Sequence, residues 1–210
     1  MSRRRIGIYG GTFDPIHLGH LLLAETCREQ LRLDEVRFIP AHVSPFKTEQ
    51  YPSDDKQRLE MLQLAIAGQG AFVIDRREIE RGGVSYTVES LRELRAEFPQ
   101  AEFFFLMGAD SLADFLKWKQ PQEICSLAWI AVVERGGHQA IAWDILKGLL
   151  EPDRFQQTLE MKVQMPLMEI SSTDLRRRAT EGASLRFRMP RAVEQYIRTH
   201  RLYCPTEHSV

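Results

Sequence analysis

Strand-like and helix-like segments alternate along the chain, and this alternation limits the fold more than any other feature. Short apolar runs at Arg5–Tyr9, Val36–Ile39 and Phe103–Met107 are separated by segments with helical periodicity, such as Thr87–Phe98. A continuous apolar run is typical of a strand that is covered on both faces. Repeated alternation favours a parallel sheet with helices on both sides. We therefore predict an open parallel α/β sheet.

The same patterns predict further helices. One covers Leu18–Leu31 and another Lys56–Ala67. Apolar side chains at helical spacing mark the buried face of the second helix: Leu59, Leu62 and Ile66. In the helix Thr87–Phe98 the corresponding side chains are Val88, Leu91, Leu94 and Phe98. Thr87 is the predicted N-cap of that helix.

Further strands are predicted in the middle of the chain. Trp129–Val133 is a second continuous apolar run. Phe72–Ile74 and Glu78–Glu80 have the character of a strand pair or of one bent strand. The longest break in periodicity, His42–Asp55, follows a strand and is typical of a lid or binding loop.

Residues 10–20 read Gly-Gly-Thr-Phe-Asp-Pro-Ile-His-Leu-Gly-His, between the first strand and the first helix. Gly10 and Gly11 predict a tight turn that can come close to a ligand. The amides of Gly11, Thr12 and Phe13 can point into one concavity, which favours anions. The helix that follows adds its positive end.

A pair of histidines starts that helix. His17 and His20 are three residues apart and so share a face of its first turn. Two imidazole donors beside backbone amides suit a polyphosphate in which a bond at phosphorus changes. The pattern is neither the dinucleotide fingerprint nor a Walker loop. We predict a nucleotide-phosphate site.

A second motif lies at residues 170–178, Ile-Ser-Ser-Thr-Asp-Leu-Arg-Arg-Arg. Ser171 and Asp174 have capping-box spacing, so a helix is predicted to start here. Ser172 offers a hydroxyl at its first turn. Arg176 lies one turn further in and can donate two hydrogen bonds to a phosphate. Taken alone, the segment is better explained as an ordinary capped helix. Together with the motif at residues 10–20, a phosphate-binding helix start is favoured.

Length and composition exclude several classes. The 210 residues fit one domain, with at most a small appendage, and a hydrophobic share of 43% is enough for a core. A formal net charge of −1 gives no sign of a surface for nucleic acid or membrane. No stretch reaches the roughly 20 apolar residues of a membrane span, and none near the start suits a signal peptide. Cys27, Cys125 and Cys204 are widely spaced, which argues against a disulfide framework or zinc site and predicts a reducing cytoplasm.

The two motifs together resemble those of bacterial nicotinate mononucleotide adenylyltransferases, in the nucleotidyltransferase superfamily. Further matching pieces follow in order: Ser85-Tyr86-Thr87, Gly108-Ala109-Asp110-Ser111-Leu112, Lys117-Trp118, Arg135-Gly136 and Leu202-Tyr203. The resemblance covers about residues 5–203. It implies a Rossmann-like fold in one domain, residues 1–210, whose C-terminal helical part at about 171–203 completes the ATP site.

The resemblance implies that AMP passes from ATP to nicotinate mononucleotide, giving deamido-NAD and pyrophosphate in NAD biosynthesis. Mg2+ is then required, held mainly by ATP phosphates and water, so no protein metal ligand is predicted. His17, His20 and Arg176 are the implied catalytic residues. The implied ATP site comprises Gly10, Gly11, Thr12, Phe13, His17, His20, Lys47, Gly108, Asp110, Arg135, Ile170, Ser171, Ser172 and Arg176. Ser85, Tyr86, Thr87 and Trp118 are the implied nicotinate pocket, where an indole face can stack on a pyridine ring.

The lid segment departs from the family. Its usual Pro-Pro-His-Lys or Arg is replaced by Ser44-Pro45-Phe46-Lys47, so Phe46 stands where a histidine is usual. Either His42 substitutes for that donor or the enzyme works without it. We rank an ordinary loop histidine slightly ahead.

Four alternatives stay open. One is another adenylyl- or cytidylyltransferase, against which Ser85–Thr87 and Trp118 argue. Another is an enzyme that prefers nicotinamide mononucleotide. A nucleotide-sensing module would not need His17, His20 and Arg176 together. A class I tRNA synthetase fragment would carry a Lys-Met-Ser-Lys-Ser motif. The expected partners are the two nucleotides, without nucleic acid or membrane, and a homo-oligomer stays open.

Overall fold

The computed structural model describes residues 3–45, 53–135 and 141–204. Within them the chain forms one six-stranded sheet. The strands are β1 (Arg5–Gly11), β2 (Glu35–Pro40), β3 (Phe72–Ile74), β4 (Glu102–Gly108), β5 (Trp129–Arg135) and β6 (Val163–Met165). Their order is β3-β2-β1-β4-β5-β6, and every pair is parallel.

Helices fill most of the connections between strands. In the described ranges they are α1 (Leu18–Gln30), α2 (Asp55–Ile66), α3 (Arg77–Arg81), α4 (Thr87–Glu97), α5 (Ala109–Ala113), α6 (Pro121–Leu127), α7 (Asp144–Lys147), α8 (Pro152–Leu159), α9 (Ser172–Thr180) and α10 (Arg191–Thr199). A short 3-10 helix covers Phe115–Lys117. Among the described residues, no helix has the length and apolar character needed to cross a membrane.

Alternate strand residues pack into two separate apolar cores. In β4, Phe104 and Leu106 belong to one core, with side chains from α1, α2, α9 and α10. Phe103, Phe105 and Met107 belong to the other, with side chains from α4, α6 and α8. Because side chains alternate between the faces of a strand, each core covers one face of the sheet. The predicted parallel sheet with helices on both faces is confirmed.

The strand order reverses direction at β1. The chain first adds β2 and β3 on one side of β1 and then crosses to place β4 on the other side. Gly10 pairs with Ile39 of β2, and Ile8 pairs with Phe105 of β4. In open α/β sheets, ligands bind beyond the carboxyl ends of the strands at such a switch point. The first motif begins there.

Two predictions about local structure are wrong. Gly10 and Gly11 do not form a turn, because they complete β1. The chain turns after them, and Phe13 has a φ of 50°, in the left-handed region. Glu78–Glu80 is not a strand but lies in α3, where the buried side chain is the carboxyl of Glu78.

Two helix details also differ from prediction. Tyr86 is the N-cap of α4 and Thr87 is its first helical residue. The buried residues of α2 are Arg58, Met61 and Leu62; of the predicted face, Leu62 is buried and Ile66 packs against the core, whereas Leu59 does neither. The buried face of α2 is rotated from the predicted one because it includes Arg58, which is hydrogen-bonded inside the protein. The apolar pattern alone does not predict a buried arginine.

Candidate active site

Two cavities lie beyond the carboxyl ends of β1 and β4. The larger has a volume of about 360 Å3. Its lining includes two of the predicted groups: Gly10, Gly11 and Thr12, and then Ser85, Tyr86, Thr87 and Trp118. The smaller has a volume of about 170 Å3, and its lining includes Gly108 and Asp110. The structure therefore brings the implied nicotinate residues and two of the implied ATP residues, Gly108 and Asp110, to adjoining spaces.

The two cavities share a wall. Gly10, Phe105, Ser111 and Trp118 line both of them. Trp118 is half-buried and stands edge-on to Phe105, with ring centroids 5.7 Å apart. A Cβ added at Gly10 would meet nothing within 4 Å. Gly10 thus leaves space open where the cavities meet, which is a role of glycine that needs no unusual backbone angle.

The histidine pair lies at the start of α1. His17 is the buried N-cap of this helix. Its ring stacks on that of His20, with centroids 3.6 Å apart and planes inclined by 22°. The predicted shared face of the first turn is confirmed. A Cβ at Gly19 would stand 3.1 Å from the His17 ring, so glycine between the histidines permits this stack.

A backbone amide fixes the tautomer of His20. The N–H of His17 points at Nδ1 of His20 across 3.3 Å. Nδ1 must accept this hydrogen bond and so carries no proton. In a neutral imidazole the proton then resides on Nε2. The arrangement presents Nε2–H of His20 as a donor for an oxygen anion.

The second motif packs against the loop that follows β1. Ser171 is the N-cap of α9, and its hydroxyl accepts a hydrogen bond from the Asp174 amide at 3.2 Å, as predicted. The Ser172 hydroxyl donates to the Pro15 carbonyl at 3.0 Å. The Arg176 guanidinium donates to the Asp14 carbonyl at 2.7 Å. Each of these two contacts spans more than 150 residues of sequence, and together they join the motif at residues 10–20 to the motif at residues 170–178.

Asp14 anchors this loop from its side chain. The buried carboxylate accepts hydrogen bonds from the Tyr203 hydroxyl and from the Ser53 amide, the latter at 2.9 Å. Burial, together with the nearby Asp14 charge, raises the pKa of Tyr203 well above its usual value. Tyr203 therefore stays protonated and remains a donor. The loop after β1 is therefore held by Ser53, by Ser172 and Arg176 of α9, and by Tyr203.

The remaining implied ATP residues occupy different environments. Phe13 is buried in the core and stands edge-on to His20, with centroids 5.3 Å apart. Ile170 packs against the same core. Arg135 ends β5, and its side chain is outside the described residues, as is all of Lys47. Phe13 and Ile170 thus support the site from beneath through packing.

His42 is held at the base of the lid segment. Its Nδ1 lies 2.6 Å from a carboxylate oxygen of Asp55, the first residue of α2. Its backbone amide donates to the Ser85 hydroxyl at 2.9 Å. Phe46 lies outside the described residues. The described contacts favour an anchoring histidine over a substitute phosphate donor.

Three charged side chains line the larger cavity. Lys119 places its Nζ 4.2 Å from the centre of the Tyr86 ring and 2.7 Å from a carboxylate oxygen of Glu89. Lys117 is largely exposed, whereas Glu78 is buried. The lining of this cavity therefore carries one buried carboxyl and two lysines, each paired with a carboxylate outside the lining, Asp114 for Lys117 and Glu89 for Lys119.

Sequence reasoning missed Glu78, Arg58 and the hydroxyl of Tyr203. Arg58 is fully buried, and it donates to the Thr12 carbonyl at 2.8 Å and to the Ser53 carbonyl at 3.2 Å. It also pairs with Asp55. Two of these three partners are backbone carbonyls, and Thr12 lies 46 residues away, so no local motif marks Arg58 as a buried residue.

Comparison with known proteins identifies relatives over nearly the full chain. The family model described as cytidylyltransferase-like matches residues 8–178. A Rhodopirellula baltica protein named probable nicotinate-nucleotide adenylyltransferase is 43% identical over 202 residues, which cover 96% of this chain and 94% of that protein. A Thermus thermophilus protein of the same name is 43% identical, with coverage of 95% and 99%.

Solved structures share the fold at low sequence identity. One is the nicotinic acid mononucleotide adenylyltransferase of Plasmodium falciparum complexed with NaAD, with a TM-score of 0.72 and 17% identity. The alignment covers 96% of this chain and 98% of that one. The same enzyme complexed with APC gives a TM-score of 0.70. At this identity the likeness concerns the fold alone.

Proposed function

Because the chain belongs to the cytidylyltransferase-like family and, within it, to the nicotinate-nucleotide adenylyltransferases, we propose that it transfers AMP from ATP to nicotinate mononucleotide. The products are deamido-NAD and pyrophosphate, and the reaction belongs to NAD biosynthesis. The observation that carries this proposal is the pair of cavities that share Gly10, Phe105, Ser111 and Trp118. Two nucleotides can enter from two sides and meet beside the first phosphate motif.

The larger cavity is proposed to hold the pyridine. Trp118 offers an aromatic ring, and Ser85, Tyr86 and Thr87 line the same cavity. Thr87 starts α4, whose first N–H groups lack partners within the helix and carry a positive partial charge. Lys119 adds a positive charge over Tyr86. These features favour the carboxylate of nicotinate over the neutral amide of nicotinamide.

The smaller cavity is proposed to hold adenosine, beside Gly108 and Asp110, with Arg135 near it. The phosphates would then lie across Gly10, Gly11 and Thr12, towards His17 and His20. From α9, Ser172 and Arg176 face the same loop. Lys47 is proposed to join them from the lid segment.

Catalysis is proposed to rest on positioning and charge stabilisation. A phosphate oxygen of nicotinate mononucleotide attacks the α-phosphorus of ATP in line. One new P–O bond forms, and the bond to the β-phosphate oxygen breaks with its electron pair on pyrophosphate. Nε2–H of His20 stabilises charge on the α-phosphate, together with His17. Arg176 and Lys47 hold the leaving pyrophosphate.

Mg2+ is proposed to arrive with ATP. Among the described residues there is no cluster of three or more His, Cys, Asp or Glu that could hold a metal ion. Mg2+ usually keeps several water and phosphate ligands and does not need a full cage of protein ligands. Bound there, Mg2+ would neutralise charge on the phosphates.

The cytoplasm is the proposed compartment. Cys27, Cys125 and Cys204 are free thiols in the structure. Burial raises the pKa of Cys27 to about 12 and that of Cys125 likewise to about 12, so both stay protonated. A reducing compartment suits such thiols.

Product identification tests the proposed reaction. The protein is incubated with ATP and Mg2+ and with either nicotinate or nicotinamide mononucleotide, and the dinucleotide and pyrophosphate are quantified. We expect deamido-NAD and pyrophosphate in equal amounts and a lower kcat/KM for the nicotinamide substrate. Comparable use of both substrates would refute the nicotinate assignment. If neither mononucleotide supported the release of pyrophosphate, the proposed reaction would be refuted.

A further inference from the structure

Glu78 is a buried carboxyl in the wall of a cavity that is proposed to bind an anion. It lies in α3, is 6% exposed, and lines the larger cavity. A negative charge here would repel the anionic nicotinate mononucleotide. We therefore look for a role of Glu78 that compensates for this repulsion. Its hydrogen bonds show what it holds.

Two hydroxyl groups converge on this carboxyl. The Ser90 hydroxyl donates to Oε1 of Glu78 at 2.5 Å. The Ser85 hydroxyl also forms a hydrogen bond with Glu78. Each hydroxyl has a single proton, which goes to the carboxyl, so its oxygen is free to accept another hydrogen bond. Ser85 then accepts from the His42 amide at 2.9 Å and Ser90 from Arg81 at 3.2 Å.

Of the two serines, Ser85 lines the larger cavity, which is the proposed pyridine pocket, and Ser90 is a buried residue of α4. Ser85 precedes Tyr86 and Thr87, and its backbone amide also donates to the Val43 carbonyl at 2.8 Å. Val43 forms a parallel bridge with Val84. Through Ser85, one carboxylate thus fixes the pocket segment and the base of the lid segment relative to each other.

Burial and hydrogen bonding act on the pKa of Glu78 in opposite directions. Burial raises the pKa of Glu78, whereas the hydrogen bonds from Ser90 and Ser85 and the charge of Arg81 lower it, and Asp75 raises it further. The net shift is upward, so the ionised form is disfavoured in the folded protein.

We propose that Glu78 is a positioning residue for nicotinate mononucleotide, which sets the Ser85–Thr87 wall by accepting the Ser85 and Ser90 hydroxyl protons. This inference rests on the proposed function. Glu78 acts through Ser85 and Ser90 and has no part in the phosphate chemistry. Its loss is therefore expected to affect the affinity for one substrate only.

The test compares Glu78→Gln with Glu80→Gln, an exposed carboxyl on the same helix. Glutamine keeps the shape of Glu78 but has one oxygen acceptor, and its amide nitrogen can only donate, so one of the two hydroxyls loses its partner. We expect the KM for nicotinate mononucleotide to rise roughly tenfold, because a hydrogen bond to a charged group is lost. The KM for ATP and kcat should stay within about twofold. Tm should not fall.

Ser85→Ala provides a second route to the same result. It removes the hydroxyl that Glu78 orients, and the double variant with Glu78→Gln should show less than the product of the two single effects on KM. An unchanged KM for nicotinate mononucleotide in Glu78→Gln would overturn the inference while the wild-type reaction upheld the proposed function. A lowered Tm with both KM values unchanged would also overturn it. A wild-type protein that forms no deamido-NAD would overturn the proposed function itself.

Discussion

Replacing Arg58 by methionine should destabilise the protein strongly although it changes a single side chain. Arg58 is fully buried and makes three kinds of contact: to the Thr12 carbonyl, to the Ser53 carbonyl and to the Asp55 carboxylate. Methionine matches its apolar stem but donates no hydrogen bond. All three acceptors would lose a charged donor, and Asp55 would lose part of its charge compensation.

The magnitude follows from burial. Removing one partner of a buried ion pair costs about 3–5 kcal/mol. The side chain of Asp55 is 27% exposed and keeps His42 as a partner, so the lower end of this range, about 3 kcal/mol, applies. For a chain of this size each kcal/mol lowers Tm by about 2–4 °C. We expect Tm to fall by roughly 6–12 °C.

Arg92→Met is the matched control. Arg92 also makes three hydrogen bonds, two to Glu123 and one to Gln120, but its side chain is 45% exposed. Its loss should lower Tm by about 2 °C or less, because exposed ion pairs are screened by water. Differential scanning calorimetry of both variants decides. Equal losses in Tm would show that burial of Arg58 is not what makes it stabilising and would refute the reasoning.

Three further predictions concern the site. His20→Ala should lower kcat by about 10²–10³-fold with the fold intact, as measured by pyrophosphate release, and wild-type turnover would remove His20 from the mechanism. His42→Gln should change kcat by less than about threefold, since its ring is paired with Asp55; a loss comparable to that of His20→Ala would identify it as a phosphate donor. Tyr203 keeps its proton in the folded state, whereas an unfolded tyrosine ionises near pH 10, so the stability it contributes is complete below pH 10 and is lost as pH rises above it. Tyr203→Phe should therefore lower Tm at pH 8 by removing a donor to Asp14 and should show a shallower decline of Tm between about pH 9 and 11, and parallel curves would contradict this.

The parts of the fold that the sequence predicts are those with local periodicity. β4 has five consecutive apolar residues, and α4 buries Val88, Leu91 and Leu94 at helical spacing. Both were predicted to within a residue or two. Their apolar side chains indicate burial directly, because burying an apolar group requires no specific hydrogen-bond partner.

The parts that the sequence does not predict depend on partners far along the chain. Glu78 made α3 resemble a strand, since a buried carboxyl interrupts the apolar pattern and its partner Ser90 lies twelve residues on. The buried face of α2 differs from the predicted one for the same reason: Arg58 is buried, and its partner Thr12 lies at a separation of 46 residues. A charged residue is buried only where donors or acceptors await it, and that condition is set by tertiary structure.

The residues of the candidate site were predictable from the sequence, but the hydrogen bonds that join them were not. The motif residues at 10–20 and 170–178 can be identified from spacing and residue type, and the resemblance assigns them to phosphates. The contacts that join them, from Ser172 to Pro15 and from Arg176 to Asp14, involve backbone carbonyls. Every residue has such a carbonyl, so sequence cannot mark which ones are used.

The stereochemistry of the transfer tests the central proposal most directly, namely that the phosphate of nicotinate mononucleotide attacks ATP itself where the two cavities meet. ATP carrying a chiral α-phosphorothioate is converted with nicotinate mononucleotide, and the configuration at phosphorus in the dinucleotide is determined by 31P NMR. A single in-line displacement predicts inversion of configuration. Retention would indicate two displacements through a covalent enzyme intermediate and would contradict a mechanism based on positioning by His17, His20 and Arg176.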